Sequence, residues 1–292
     1  MPSMTPSVAI AKFLEVAGCE VFFGVVGHGN WAPLDALSRT RIRGIRTRCE
    51  DHAVHMAEYL LAGVLMATER IEARLANHAA RGWGGPASGL NGRRLRGREA
   101  VIVGYGSIGR EVARVLDALG VRIVAVKRDP SRRQDDGWRE PGTGDPDGTI
   151  PARWAAPDDL AAVVGGADFV ILTAPATAGT TGLISASVIA AMRPDAWILN
   201  VGRGALIDQG ALVAALRAGR LGGAVLDVTT PEPLPADDPL WAAPRTLVTP
   251  HISAIGDRAH LWHLTAVLLA DQLRRDLAGE PQRNVVSRAA GY

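Results

Sequence analysis

The sequence predicts an α/β protein: a doubly wound parallel sheet, preceded by a short, atypical N-terminal α/β segment. Three observations predict it. From Glu99 onward short apolar runs alternate with helical stretches, in the order AVIVGYG, REVARVLDALG, VRIVAVKR, DFVILTAP, AWILNVG, GAVLDV and TLVTPH. A glycine-rich turn joins the first run to the first helix, and polar residues suited to chemistry fall just after the runs, where a parallel sheet presents its carboxyl edge.

Bulk properties are those of an ordinary globular chain. Its 292 residues are 47% hydrophobic and 21% charged, enough to bury a sizeable core. Lys and Arg number 32 against 30 Asp and Glu, a formal charge of +2. The arginines are scattered rather than striped along one face, which argues against nucleic acid as a partner. The opening MPSMTPSVAIAKF has no basic stretch followed by an apolar one, and the longest apolar run, Tyr59 to Thr68, has about ten residues against the roughly 20 of a membrane span. The reading is a cytoplasmic protein without a membrane partner. Cys19 and Cys49 are expected to be buried small hydrophobes rather than a disulfide or metal pair.

Residues 1–76 form the N-terminal α/β segment and a linking helix, residues 77–252 the sheet domain, and residues 253–292 a C-terminal helix and tail. Gly-rich residues 77–98 make the boundary. The polar, Gly/Pro/Asp-rich stretch between Lys127 and Pro157 is too broken for an ordinary helix and is expected to be a long loop.

The turn Gly104-Tyr105-Gly106-Ser107-Ile108-Gly109 follows the strand Ala100 to Val103 and opens a helix, Arg110 to Leu119. In that setting the first glycine permits a tight turn, the second lets a pyrophosphate approach the backbone, and the third lets helix and strand pack closely. The helix N-terminus then faces the negative charge. This is the dinucleotide-binding turn of a Rossmann sheet. An acid about 20 residues on would bind the ribose hydroxyls of NAD, whereas a base there suits the extra phosphate of NADP. The next strand ends at Lys127-Arg128, with Asp129 starting an Asp-Pro turn. NADP(H) is therefore preferred, with NAD(H) the alternative.

The fragments ADFVILTAP, TTGLIS, MRPDAWILNVGRGALID, GRLGGAVLDV, EPLP, PLW and TPHISA, with GYGSIG before and LAGEPQRNVV after, resemble the D-2-hydroxyacid dehydrogenase family from about Ala53 to Val286. The resemblance implies hydride transfer between a nicotinamide and a small 2-keto or 2-hydroxy acid. It implies that Arg203 holds the substrate carboxylate, that His251 handles the proton, and that Glu232 partners that histidine. A planar, permanently charged guanidinium suits the first task, and a histidine oriented by a carboxylate suits the second. It further implies that Asp227 lies near the nicotinamide carboxamide, that Thr173 and Pro175 line the adenosine side, and that the chain forms a homodimer through Ala53 to Arg70 and the Gly-rich segment after it. One departure is Thr229-Thr230-Pro231, where the family shows an aromatic and acidic pair.

The opening fits that family poorly. Residues 7 to about 57 resemble instead the start of thiamine-diphosphate-dependent enzymes of the acetolactate synthase type, in which Glu50 would correspond to the activating glutamate. The Gly-Asp-Gly motif of those enzymes is absent, so Glu50 is read as a vestige or a helix-start acid. A hybrid with an impaired substrate site, binding dinucleotide without turnover, is the alternative function. His52 and His55, like His260 and His263, stand at helical spacing without a third ligand, so no metal site is expected. The tryptophans are read as packing residues.

Overall fold

The computed structural model describes residues 5–25, 36–37, 39–47, 52–85, 88–255 and 258–285. The chain divides into two compact units. One comprises Met1–Asp51, Asp136–Glu140 and Asp257–Tyr292; the other comprises His52–Asp135 and Pro141–Gly256.

The larger unit contains a seven-stranded parallel sheet. In chain order its strands are β3 (Glu99–Val103), β4 (Arg122–Val126), β5 (Arg153–Ala155), β6 (Phe169–Leu172), β7 (Trp197–Asn200), β8 (Gly223–Leu226) and β9 (Thr246–Val248), β1 and β2 belonging to the other unit. Their spatial order is β5-β4-β3-β6-β7-β8-β9. The chain therefore runs outward from β3 to one edge and then returns to build the other half from β6. β3, β6 and β8 are buried on both faces, as expected of strands covered by helices. The sheet is one strand larger than the apolar runs suggest. β5 falls within the stretch expected to be a loop, because three residues beginning with an exposed arginine carry no periodicity.

Helices α4 (Ser107–Ala118), α5 (Leu160–Val164), α6 (Ala186–Ala191) and α7 (Gln209–Arg217) connect the strands. α2 (Ala53–Thr68) packs on α4 and over β7. A Cβ on Gly63 would come 2.9 Å from Leu199 Cδ2 and 3.4 Å from Val225. Glycine there lets the helix lie close on the sheet, and Met56, Leu60 and Val64 fill the interface. By its contacts this helix belongs to the sheet unit, which begins at His52 rather than after residue 76. α3 (Ile71–Ala79) follows it and buries none of its side chains.

The stretch after β4 is tied down at several points. Asp145, 4% exposed, accepts hydrogen bonds from Tyr105 Oη at 2.8 Å and from the amides of Thr149 and Ile150 at 3.0 and 3.3 Å. Glu111 accepts from Gly144 N at 2.6 Å. Arg110 donates to the carbonyls of Asp145 and Arg133 and stacks 5.0 Å from the Tyr105 ring centroid.

In the smaller unit, β1 (Val21–Val25) and β2 (Arg43–Thr47) pair in parallel, Val21 opposite Arg43. α1 (Pro6–Val16) starts at a Thr5 cap with proline in its first turn. Its Ala11 joins Ala36, Leu37 and Ile42 in a small core. The long helix α8 (Arg258–Leu277) buries Leu264 and Leu268 against Trp138, and Asn284 bonds both the amide and the carbonyl of Trp138, at 2.9 and 3.3 Å. Among the described residues no helix is long and apolar enough to cross a membrane.

Candidate active site

The switch point of the sheet lies between β3 and β6, and ligands of open α/β sheets bind outside the carboxyl ends of such strands. The glycine turn sits there. Gly104 has φ +97° and its Cβ would meet Ala174 N at 2.6 Å, so this position demands glycine for both conformation and space. A Cβ on Gly109 would meet Gly104 O at 2.3 Å. A Cβ on Gly106 would meet nothing within 4 Å, and Gly106 is the cap of α4 with no side-chain hydrogen bond to it. Space therefore stands open at the uncapped start of a helix, a cradle that fits a pyrophosphate. Ser107 and Ile108 form the first turn of that helix. Thr173 closes the turn from the β6 side, its Oγ1 donating to Gly104 O at 2.6 Å, and Pro175 is exposed just beyond it. The Tyr105 side chain is 1% exposed and pins Asp145; burial and the neighbouring carboxylate push its phenol above the usual range. Only its backbone is left to face a ligand.

Arg203, Glu232 and His251 follow the carboxyl ends of β7, β8 and β9, three adjacent strands. His251 Nδ1 and Glu232 Oε2 are 2.9 Å apart. The other carboxylate oxygen, Oε1, accepts from Thr229 N at 3.0 Å, so the departure from the family pattern at Thr229 still supplies an amide that orients the glutamate. Arg203 is exposed, with one guanidinium nitrogen donating to Gly202 O at 2.6 Å. Asn200 fixes this turn, donating to Arg203 O and accepting from Gly202 N, both at 3.0 Å. The loops after β7 and β8 touch: a Cβ on Gly204 would lie 2.0 Å from Thr229 O. Backbone cannot yield as a flexible side chain does, so Gly204→Ala should push these loops apart. We expect a loss of about 3 kcal/mol in stability, read as a lowered Tm, together with a fall in kcat; an unchanged Tm would show that the loops do not need this close approach.

Asp227, directly after β8, is 1% exposed. Its carboxylate accepts from Thr249 Oγ1 at 2.6 Å, Ile252 N at 2.9 Å and Ser253 N at 2.8 Å, and its carbonyl accepts from His251 N at 2.9 Å. It thus holds the loop that carries His251. Tyr59 Oη lies 2.6 Å from Thr249 Oγ1. Tyr59, Thr249 and Asp145 carry no local signal in the sequence, since their partners lie 190 and 40 residues away.

At the end of β4, Lys127 turns back into its own loop, its Nζ donating to Arg132 O at 2.7 Å. Burial, with Arg110 nearby, lowers its pKa. Arg128 is exposed. The Asp129 carboxylate accepts from Ser131 N and Oγ at 3.0 and 2.6 Å, bonds that lower its pKa and close the turn expected at Asp-Pro.

Outside this edge, Cys19 is exposed rather than buried, because the chain leaves α1 through the turn at Ala17 and Gly18 into solvent. Trp83 is also fully exposed, against the packing role read for the tryptophans. His55 pairs with Glu58 at 3.8 Å and His260 with Glu140 at 4.0 Å; His52 directly precedes α2 without a side-chain cap hydrogen bond to it, and His263 is exposed on α8. No cluster able to hold a metal occurs among the described residues. Cys49 and Glu50 lie outside the described residues.

Comparison with known proteins identifies the family of the sheet domain. Residues 61–253 match the model of the D-isomer specific 2-hydroxyacid dehydrogenase NAD-binding domain, and residues 4–80 match that of the thiamine pyrophosphate enzyme N-terminal TPP-binding domain. The two matches overlap at residues 61–80. An (S)-sulfolactate dehydrogenase of Chromohalobacter salexigens is 32% identical over 77% of this chain and 67% of its own length. A glyoxylate/hydroxypyruvate reductase A of Salmonella typhi is 34% identical over 65% of this chain but only 55% of its own. The chain thus spans between about half and two thirds of these relatives. A D-isomer specific 2-hydroxyacid dehydrogenase from Xanthobacter autotrophicus, solved with NADPH and MES, is 28% identical, with a TM-score of 0.68 over 85% of this chain and 93% of that one.

Proposed function

The chain belongs to the D-isomer specific 2-hydroxyacid dehydrogenase family, and from that premise we propose that it reduces a small 2-keto acid to the 2-hydroxy acid, or runs the reverse reaction, with NADP(H). The observation that carries this reading is the 2.9 Å contact of His251 Nδ1 with Glu232 at the carboxyl edge of the sheet. When bound, the nicotinamide supplies or accepts the hydride. The residues of the chain do the rest. Glu232, itself held by the Thr229 amide, fixes the imidazole through Nδ1, and we assign Nε2 as the atom that passes a proton to the substrate oxygen. Arg203 anchors the carboxylate. Gly104, Gly106 and Gly109, with the first turn of α4, receive the pyrophosphate, and Thr173 and Pro175 border it. Asp227 acts on the nicotinamide side through the His251 loop.

The NADPH complex of the Xanthobacter relative and the exposed Arg128 support the phosphorylated cofactor, with Lys127 shaping the loop from within. Arg128→Ala should raise KM for NADPH about tenfold to a hundredfold, the worth of one charge-assisted contact, and leave KM for NADH nearly unchanged. An equal change for both would remove Arg128 from cofactor choice. We assign the protein to the cytoplasm on the same reading. A homodimer through Ala53 to Arg70 and the Gly-rich segment after it is supported by the exposure of Ile71 and Leu75 on α3, which joins the two; a sedimentation profile of monomer alone would refute it.

The test is direct. Purified protein with NADPH and glyoxylate, hydroxypyruvate or phenylpyruvate should consume NADPH. The match of residues 4–80 to a different enzyme family favours one second reading, a dinucleotide-binding hybrid without turnover. Tight NADPH binding with no consumption for any small 2-keto acid would decide for it.

A further inference from the structure

We propose that Tyr59 is a positioning residue for His251: through Thr249 and Asp227, its hydroxyl fixes the loop on which the histidine rides. The proposal rests on the reading of His251 as the proton-transferring residue. Tyr59 stands two residues before the start of residues 61–253, which match the dehydrogenase NAD-binding domain.

The direction of the hydrogen bonds follows from the chemistry. A carboxylate only accepts, so the single Thr249 proton is committed to Asp227 Oδ1, 2.6 Å away. Tyr59 Oη, 2.6 Å from Thr249 Oγ1, must then be the donor. The chain runs one way, from phenol to hydroxyl to carboxylate, and each link polarises the next. Burial and the charge of Asp227 both raise the Tyr59 pKa, which keeps the phenol protonated and donating.

What this chain holds is a strained loop. His251 has φ +55°, a region that residues other than glycine avoid, so neighbouring contacts must impose it. Those contacts converge on Asp227, which takes the amides of His251, Ile252 and Ser253 and the hydroxyl of Thr249. Tyr59 adds a tether from a different layer of the fold. Its helix is seated by Gly63 against Leu199 and Val225, one turn further along, with Met56 and Leu60 buried beneath. The loop is therefore referenced to a packed helix as well as to its own strand ends, and the aim of the imidazole toward Glu232 inherits that rigidity.

Tyr59→Phe keeps the ring and removes only the donor. We expect kcat for the 2-keto acid to fall about tenfold through misaimed proton transfer, with KM for NADPH and Tm little changed. In a ¹⁵N–¹H spectrum of the histidine side chains, assigned by the signal lost in His251→Ala, the His251 Nδ1 resonance should shift or broaden. Thr249→Val should repeat both effects from the other end of the bond, and serves alone if Tyr59→Phe does not fold. A wild-type kcat with an unmoved His251 resonance would overturn the proposal, and so would a lowered Tm with an unmoved resonance. The spectrum needs no turnover: if the wild-type protein reduces no 2-keto acid, the activity reading fails, yet the His251 resonance in the two variants still decides the positioning role.

Discussion

His251→Ala is expected to lower kcat for 2-keto acid reduction by about 10³-fold, within the range that a positioned general acid contributes, while leaving the Kd for NADPH unchanged. Reduction leaves negative charge on the substrate oxygen, and without a donor at that point the proton must come from water. The histidine side chain lies after β9, whereas the glycine turn lies after β3, with three strands between them in the sheet; deleting the imidazole should therefore leave the cofactor cradle untouched. Glu232→Gln should cost less, about 10–100-fold. An amide still accepts through one oxygen, but it replaces the carboxylate's strong contact to Nδ1 at 2.9 Å with a weaker neutral one. Steady-state kinetics with titration of NADPH fluorescence separates the two quantities. Residual kcat within tenfold of wild type in His251→Ala would remove the histidine from the proton path and, with it, the proposed mechanism.

The site was legible in the sequence wherever its logic is local. Gly104, Gly106 and Gly109 each answer to a contact or an opening within one strand-turn-helix unit, so order and spacing sufficed to find them. Arg203, Glu232 and His251 were assigned through the resemblance to the dehydrogenase family, and the parallel order of β7, β8 and β9 brings the strand ends they follow to one edge. Periodicity gave six strands and failed on β5, whose three residues at the sheet edge are too short to show one. The supporting contacts were hidden because they join distant segments: Tyr105 to Asp145, Asp227 to Ser253, Tyr59 to Thr249. Composition misled at Cys19, since a residue type that is usually buried has no claim to the core when it follows a helix end in solvent. Lys127 shows the same limit. Its position at the strand end suits a phosphate, yet the chain folds back and offers it the Arg132 carbonyl at 2.7 Å.

The glycines of the cofactor turn allow the second large effect to be separated into its parts. Gly109→Ala would set a methyl 2.3 Å from Gly104 O, a backbone atom that moves only if strand and helix part. We expect about 3 kcal/mol of lost stability and, with the turn displaced, loss of NADPH binding as well. Gly106→Ala differs in kind. Its φ of −94° and ψ of −161° suit any residue, nothing lies within 4 Å of the new methyl, and the change should alter stability by less than about 0.5 kcal/mol. What the methyl fills is the open space at the start of α4, where the pyrophosphate would meet helix amides with no side-chain cap. The Kd for NADPH should therefore rise at least tenfold with Tm unchanged, since displacing the phosphates removes charge-assisted hydrogen bonds worth about 1.5–3 kcal/mol each. Thermal melts with and without NADPH read both variants: Gly109→Ala should melt early in either condition, whereas Gly106→Ala should melt like wild type and lose only the shift that NADPH confers. A full NADPH shift in Gly106→Ala would mean that the dinucleotide does not lie against this turn, and the cofactor site would have to be sought elsewhere on the carboxyl edge.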